Sequence, residues 1–242
     1  DLYASRLVLK TLGVSDFGAF SVVASIIASF SFITGSLNGA VSRFLCAELG
    51  KKDERGVSCV FRSSCVLMFT LAVVVILVAE LIGNWYITNL LVIAPERLQA
   101  ALTTFHLSLA STAFLVLVMP FQSIIIATEN IKTFASIALL GDVLKFSAAA
   151  LLTFVPWDKL PTYACFLAFV SLISLLMSAF YCFKHYPACR MKLPLDGQLT
   201  REIGKYAAWD TLGCLTTVAQ QQGLNFLINA FFGLIYNCLL YT

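Results

Sequence analysis

The apolar positions of this chain fall into six long stretches separated by short polar segments. Each stretch reaches the roughly 20 residues that an α-helix needs to cross a hydrocarbon core. We predict complete transmembrane helices at 17–44, 63–82, 102–127, 134–155, 163–183 and 207–234. Residues 1–12 are predicted to be the end of an earlier helix, and the chain is expected to be part of a longer protein.

Small residues recur at steps of three and four along the first predicted helix. They are Gly18, Ser21, Ser25, Ala28, Gly35, Gly39 and Ser42. Gly35 and Gly39 form a G-x-x-x-G pair, a pattern that lets helices approach closely in lipid. The sequence therefore predicts that this face packs against other helices.

Composition supports a polytopic membrane protein. Of the 242 residues 60% are hydrophobic and only 12% charged, with a mean hydropathy of +0.88, whereas soluble domains are about 25% charged. The predicted fold class is therefore an all-α transmembrane helix bundle. The net charge of +3 lies in a few loops, so we interpret it as a topology signal and expect no nucleic-acid partner.

Basic residues are distributed unequally between the two sets of loops. One set contains Arg43, Lys51, Lys52, Arg55, Arg62, Lys132, Lys184, Arg190, Lys192, Arg201 and Lys205. The alternate set contains only Arg6, Lys10, Arg97 and Lys159. Because basic loops stay in the cytoplasm, the first set is predicted to be cytoplasmic. Its last segment, with Leu199, Ile203 and Tyr206 at helical spacing, predicts an interfacial amphipathic helix.

Asp142 and Lys145 lie at i, i+3 in the middle of the fourth predicted helix. Ionisable groups inside a membrane are costly and usually face the bundle interior or a water-filled cavity. The pair is a candidate proton or cation relay, or a contact to a phosphate group. The alternative is a self-neutralising pair that fixes helix packing.

Amide side chains form a second polar line, Gln222, Asn225 and Asn229, in the last helix. Amides both donate and accept hydrogen bonds, which suits sugar hydroxyls. Hydrogen bonding between helices, typically about 1 kcal/mol or less each, is the structural alternative.

Three further residues are candidates for the substrate path. The guanidinium groups of Arg6 and Arg43 match phosphate geometry, although anchoring of the topology is the plainer role. Asn38 is a candidate cavity contact, or a packing contact beside Gly39.

No motif indicates an enzyme, a metal or a cofactor. His106 and His185 are far apart, and no acidic or cysteine cluster has metal-ligand spacing. A phosphate-binding loop and a nucleophile elbow are both absent from the sequence. We therefore expect no catalytic residues and no cofactor.

Several collinear blocks carry a family resemblance. They are SRLVLKTLGVSDFGAFSVV at 5–23, FSFITGSLNGAVSRFLCAELGKKD at 30–53, ELIGNWYITNLLVIAPERLQAA at 80–101, MPFQSIIIATENIKTFA at 119–135 and GKYAAWDTLGCLTTVAQQQGLNFLINAFFG at 204–233. Together they resemble the bacterial polysaccharide flippases, which translocate O-antigen and capsule units, of the multidrug/oligosaccharidyl-lipid/polysaccharide exporter superfamily. Residues 234–242 depart from the family pattern.

The resemblance implies two six-helix lobes with the substrate path between them. On that map, residues 1–183 are the first lobe, comprising the end of helix one and helices two to six. Residues 184–205 are a cytoplasmic linker with an amphipathic helix, and 206–242 are the start of the second lobe, helix seven.

The implied function is translocation of undecaprenyl-diphosphate-linked oligosaccharide units across the bacterial inner membrane by alternating access, driven by an ion or substrate gradient. In that case Asp142 and Lys145 are candidate contacts to the lipid-linked pyrophosphate. Its expected partners are the lipid-linked oligosaccharide, the bilayer and the polysaccharide polymerase machinery. The candidate substrate-path residues are Arg6, Asn38, Arg43, Asp142, Lys145, Gln222, Asn225 and Asn229. The alternatives are a cation-coupled multidrug exporter of the same superfamily, an inactive truncated fragment, and a membrane glycosyl- or acyltransferase, for which the loops offer no catalytic constellation.

Overall fold

A computed structural model describes residues 31–89, 95–153, 158–191 and 196–232. In these ranges the chain forms α1 (Ser31–Gly50), α2 (Glu54–Asn89), α3 (Pro95–Ala127), α4 (Ile131–Leu151), α5 (Lys159–His185) and α6 (Gly197–Phe232). A short 3-10 turn, Pro187–Cys189, follows α5. The described ranges contain no strand, and the prediction of an all-α bundle is confirmed.

Four of the described helices are long and apolar enough to cross a membrane. These segments are Glu54–Leu81, Gln99–Ala127, Ile131–Leu151 and Lys159–His185. They overlap the second to fifth predicted spans, as expected for a multi-pass membrane protein. The first and sixth spans stay predictions, because α1 is described only from Ser31 and α6 carries polar side chains such as Asp210.

The connections are shorter than the polar pattern suggested. We expected a loop over 43–62, but α1 continues to Gly50 and α2 begins at Glu54. Asp53 caps α2, since its Oδ1 accepts a hydrogen bond of 3.0 Å from the Arg55 backbone N–H. The loop prediction was wrong because charged residues such as Glu, Lys and Arg are good helix formers, so the helices extend beyond the apolar segments.

The predicted linker, residues 184–205, also contains more helix than expected, and no helix boundary lies at 205. α6 begins at Gly197 and runs unbroken through positions 205 and 206. Ile203 is buried whereas Arg201 and Lys205 are exposed. The predicted amphipathic helix is therefore the first part of α6, continuous with the predicted seventh helix.

The packing face of α1 is not the glycine face that we predicted. Gly35 and Gly39 are exposed, and a Cβ atom added at either would meet nothing within 4 Å. Instead, Ala40, Val41 and Leu45 are completely buried, and α1 packs on α2, α3 and α6. In the described part of the chain the contacts of α1 are made beside the two glycines, and the face of Gly35 and Gly39 is left open.

Two tyrosine side chains connect helices by hydrogen bonds at one end of the bundle. The Tyr181 hydroxyl accepts a hydrogen bond of 2.7 Å from Asn130 Nδ2, in the turn between α3 and α4. The Tyr186 hydroxyl lies 2.8 Å from Thr128 Oγ1 in the same region. A cavity of about 290 Å³ at this end is lined by Lys52, Thr128 and Tyr186 among others. The three predicted cytoplasmic connections therefore meet at one end, as the basic-residue pattern requires.

Gly83 provides a test of the α2–α3 packing. It is buried on α2, and a Cβ atom there would overlap the ring of Phe105, which is fully buried on α3. We expect Gly83→Ala to destabilise the protein by about 1–3 kcal/mol, the usual cost of overpacking. The measurement is the thermal unfolding midpoint in detergent.

Gly141→Ala is the matched control, because a Cβ atom at Gly141 on α4 meets nothing within 4 Å. Alanine is also the better helix former, by about 0.8–1 kcal/mol. We expect its midpoint to be unchanged or higher. Equal midpoints for Gly83→Ala and the unmodified protein would contradict the packing described here.

Candidate functional site

Arg43 links the first five described helices to α6. Its guanidinium Nη1 donates a hydrogen bond of 2.7 Å to the Tyr206 hydroxyl. The guanidinium carbon lies 4.9 Å from the centroid of the Tyr206 ring, a distance that gives a cation–π attraction. The Phe44 ring packs edge-on against Tyr206 at 6.2 Å. Arg43, a predicted anchor or phosphate contact, therefore binds a tyrosine on another helix.

Two further contacts extend the interface between α6 and the helices α1 and α2. The hydroxyl oxygens of Thr200 on α6 and Ser63 on α2 are 2.9 Å apart, and Ser63 is fully buried. Ser36 on α1 donates to the Cys214 sulfur at 3.5 Å. The contacts on α6 thus run from Thr200 to Cys214, roughly 21 Å along the helix.

Asn38 lies on α1 beside the open glycine face and is half-buried. Its Oδ1 accepts a hydrogen bond of 2.5 Å from Ser123 Oγ on α3, and Ser123 is fully buried. Ser123 Oγ also lies 2.9 Å from the backbone carbonyl oxygen of Met119. Asn38 therefore makes a packing contact between α1 and α3.

Asp142 and Lys145 form the predicted ion pair on α4, with Nζ and Oδ1 3.3 Å apart. Their side chains are 67% and 50% exposed, so within the described part of the chain they do not face the bundle interior. An interior position is therefore not seen in this part of the chain, although α4 packs on α5 and α3 and buries Ile137, Ala148 and Ala149. A position beside a water-filled cavity stays a prediction.

The remaining predicted residues cannot be compared with the structure in the same way. Arg6 lies outside the described residues. Gln222, Asn225 and Asn229 belong to the described backbone of α6, but their side chains also lie outside the described residues. Their spacing of three and four on a continuous helix places them on one face, as predicted, and their role stays a prediction.

A second ionisable pair, Glu80 with His106, was not predicted from the sequence. His106 Nδ1 on α3 lies 3.3 Å from Glu80 Oε2 on α2, and the side chains are 53% and 39% exposed. A signal for it existed. Glu80 is the one charged residue between 63 and 82, and His106 is the one ionisable nitrogen base between 102 and 127. Because consecutive helices are antiparallel, the end of one and the start of the next lie at the same depth.

The described ranges show no metal centre. They contain no group of three or more histidine, cysteine or acidic side chains that could hold a metal ion. The seven cysteines within them are free thiols.

Comparisons with known proteins place this geometry in a family. The MatE family model matches residues 3–151. The fold is similar to the outward-facing conformation of a multidrug resistance MATE family transporter of the MOP superfamily, with a TM-score of 0.79 and 16% identity. It is also similar to a point mutant of a MATE protein, with a TM-score of 0.77 and 16% identity. No curated protein matches the chain.

Each structural match covers 96% of this chain and 52% of the other chain. This chain therefore spans about half the length of the MATE proteins it matches, and it has the fold of that half. Since the family model covers more than half of the 242 residues, the chain belongs to the MatE family.

Proposed function

We propose that the protein is a membrane transporter that works by alternating access between two lobes. α1 to α5 contribute the first lobe, and α6 begins the second. The observation that carries the proposal is the contact of α1 and α2 with α6, at the end of the bundle that we predict to be cytoplasmic. The likeness to a transporter in its outward-facing conformation supports the same arrangement, since that state is closed towards the cytoplasm.

The open face of α1 supports a substrate path beside this contact. Gly35 and Gly39 leave space there, and the half-buried side chain of Asn38 lies between them in the sequence. Binding sites of transporters lie near the bilayer midplane at the interface between repeats. α1 contacts α6, so its open face is suitably placed for such a path.

Multidrug export is the substrate class that we favour. The structural relative is a multidrug resistance transporter. Among the described candidates, the basic groups are already engaged: Arg43 by Tyr206, and Lys145 by Asp142. An anionic diphosphate would have to displace these partners, whereas an amphipathic cation would not.

Flipping of a lipid-linked oligosaccharide across the bacterial inner membrane is the second candidate. The residue blocks that resemble polysaccharide flippases favour it, together with Arg6 and the amides Gln222, Asn225 and Asn229. The polymerase machinery would be a partner only in this case. Neither candidate involves an enzymatic step by this chain.

A transport assay distinguishes the two substrate classes. The full-length protein is expressed in a strain that lacks both its own dye exporters and its polysaccharide flippase. We expect efflux of a cationic dye and no surface polysaccharide. Restored polysaccharide without efflux would establish the second candidate, and the absence of both at normal membrane levels would contradict the transporter proposal.

Asp142→Leu combined with Lys145→Leu tests whether the α4 pair lines the path. We expect the double variant to lose about tenfold or more of the transport rate, because intramembrane ionisable groups are usually functional. Lys132→Gln, an exposed charge at the start of α4, is the control and should retain the rate. Unimpaired transport by the double variant would leave the pair a packing feature.

The contact between Arg43 and Tyr206 predicts a graded effect on closure. Tyr206→Phe removes one hydrogen bond, worth about 0.5–1.5 kcal/mol, and Arg43→Gln also removes the cation–π contact. We expect cytoplasmic labelling of Cys214 by a membrane-impermeant maleimide to be faster in Tyr206→Phe and faster still in Arg43→Gln. The other cysteines are replaced throughout.

Arg55→Gln is the control for this series, since Arg55 is exposed at the start of α2. Its labelling rate should match that of the unmodified protein. If all three variants label at the unmodified rate, the contact does not hold the cytoplasmic end closed.

The pair formed by Glu80 and His106 is the candidate site of proton coupling. Both groups exchange protons, and they contact one another across two membrane-spanning helices. In proteoliposomes we expect Glu80→Gln and His106→Gln each to abolish the response of transport to an imposed pH gradient. Substrate counterflow, which needs no coupling, should persist. Glu129→Gln, in the exposed turn before α4, should respond normally, and a normal response of both pair variants would refute the assignment.

A further inference from the structure

A groove runs between α2 and α6 on the surface of the bundle. It has two adjoining parts, with volumes of about 640 and 280 Å³. Leu67, Gly204 and Ala208 line both parts, so the two are continuous. The deeper part continues along α2 past Leu71 and Val74. The groove is thus apolar along its length and open on one side.

Two cations stand at the end of the groove that we predict to be cytoplasmic. Arg201 and Lys205 line it, both are exposed, and neither has an ion-pair or hydrogen-bond partner among the described residues. They lie four residues apart on α6, so they project from the same face. Arg201 and Lys205 can therefore both bind one phosphate group.

The acidic groups nearby are engaged elsewhere. Glu202 accepts a hydrogen bond of 3.3 Å from Gln198 Nε2 and does not line the groove. Asp196 caps α6, because its Oδ1 accepts from the backbone N–H groups of Gln198 at 2.9 Å and Leu199 at 3.3 Å. Binding of an anion would therefore depend on the two side chains and not on the helix N-terminus.

The exposed face of α6 changes from charged to apolar along its axis. Lys205 is followed one turn later by Trp209, which is 75% exposed, and then by the exposed Leu212. The step from Lys205 to Trp209 is about 6 Å. This matches the headgroup layer of one leaflet, roughly 5–8 Å, where tryptophan is enriched.

We propose that this groove binds an anionic membrane lipid. Its phosphate contacts Arg201 and Lys205, and one acyl chain lies along Leu67, Gly204 and Ala208. The groove has its two cations at one end and apolar side chains along the rest, which matches the order of phosphate and acyl chain in a lipid. A soluble phosphate would bind the two cations and leave the apolar part of the groove empty. The site lies at the contact of α2 with α6 and not on the glycine face of α1, and it does not depend on which substrate is carried.

Gly204 gives a way to block the groove without disturbing the backbone. A Cβ atom added there would lie 3.8 Å from Leu67 Cδ2, an ordinary van der Waals contact. Gly204→Ala is therefore tolerated, whereas the ring of Gly204→Phe would occupy the space assigned to the acyl chain.

The fluorescence of Trp209 reports on the site directly. The full-length protein, with its other tryptophans replaced by phenylalanine, is placed in nanodiscs that contain brominated phosphatidylglycerol or brominated phosphatidylcholine. From quenching titrations we expect about a 25-fold preference for the anionic lipid, since each of the two basic residues contributes roughly a factor of five. Arg201→Gln with Lys205→Gln should reduce the preference to near one.

Lys132→Gln with Lys184→Gln is the matched control, because it removes two exposed basic residues at the same end but outside the groove. It should keep the preference. Gly204→Phe should lower quenching by the anionic lipid, whereas Gly204→Ala should not, with equal thermal midpoints for both.

Three kinds of result would overturn the proposal. The first is a preference that does not depend on the two cations. It would be seen as equal quenching by the two lipids in the unmodified protein, or as an undiminished preference in Arg201→Gln with Lys205→Gln. The second is full quenching in Gly204→Phe, which would show that no chain lies in the groove. The third is loss of the preference on addition of millimolar glycerol phosphate, which would identify a site for soluble phosphate.

Discussion

The whole bundle depends on hydrogen bonds to its buried polar groups. In the hydrocarbon core no water can supply these bonds, and burial of apolar surface gives little drive for helices to associate. In lipid, backbone groups must be satisfied within helices, and helices associate through close packing and hydrogen bonds. In the described ranges every buried polar residue is a serine or a threonine. Many of these hydroxyls bond the carbonyl one turn earlier, and some bridge helices, as Ser111 and Ser171 do at 2.8 Å. Small hydroxyl side chains allow the helices to approach closely and leave few polar atoms unpaired.

The same constraint sorts the charged residues into two classes. Most lie at the ends of helices, near the polar turns. At one of these ends the hydrogen bonds of Tyr181 and Tyr186 connect α5 to the turn between α3 and α4. Two contact pairs lie within the apolar segments, Asp142 with Lys145 and Glu80 with His106. A pair lowers the cost of each member, yet both pairs remain partly exposed.

Much of the fold could be predicted from the sequence because the dominant signal is local. Apolar runs of membrane length identify the helices α2 to α5, and the basic residues place three connections at one end. The residue blocks pointed to the superfamily, and the MatE match confirms that level. The narrower identification as a polysaccharide flippase stays a proposal, since substrate choice depends on side chains of both lobes.

The missed features depend on contacts between distant residues. Arg43 and Tyr206 are 163 positions apart, and neither residue type predicts the other. The face of α1 that packs is decided by the neighbouring helices, so a small-residue pattern alone misplaced it at Gly35 and Gly39. By contrast, the contact of Glu80 with His106 could have been predicted from two isolated ionisable residues at matching depths in consecutive helices.

The central claim is that α6 separates from α1 and α2 at the cytoplasmic end during transport. Spin labels are placed on Cys46 of α1 and on Glu202→Cys of α6, both of which are exposed positions. Double electron–electron resonance then measures the distance between α1 and α6 directly. In the full-length protein we predict two distances, with a population ratio that shifts when substrate or pH is changed. A single distance that is the same under all conditions would contradict the account.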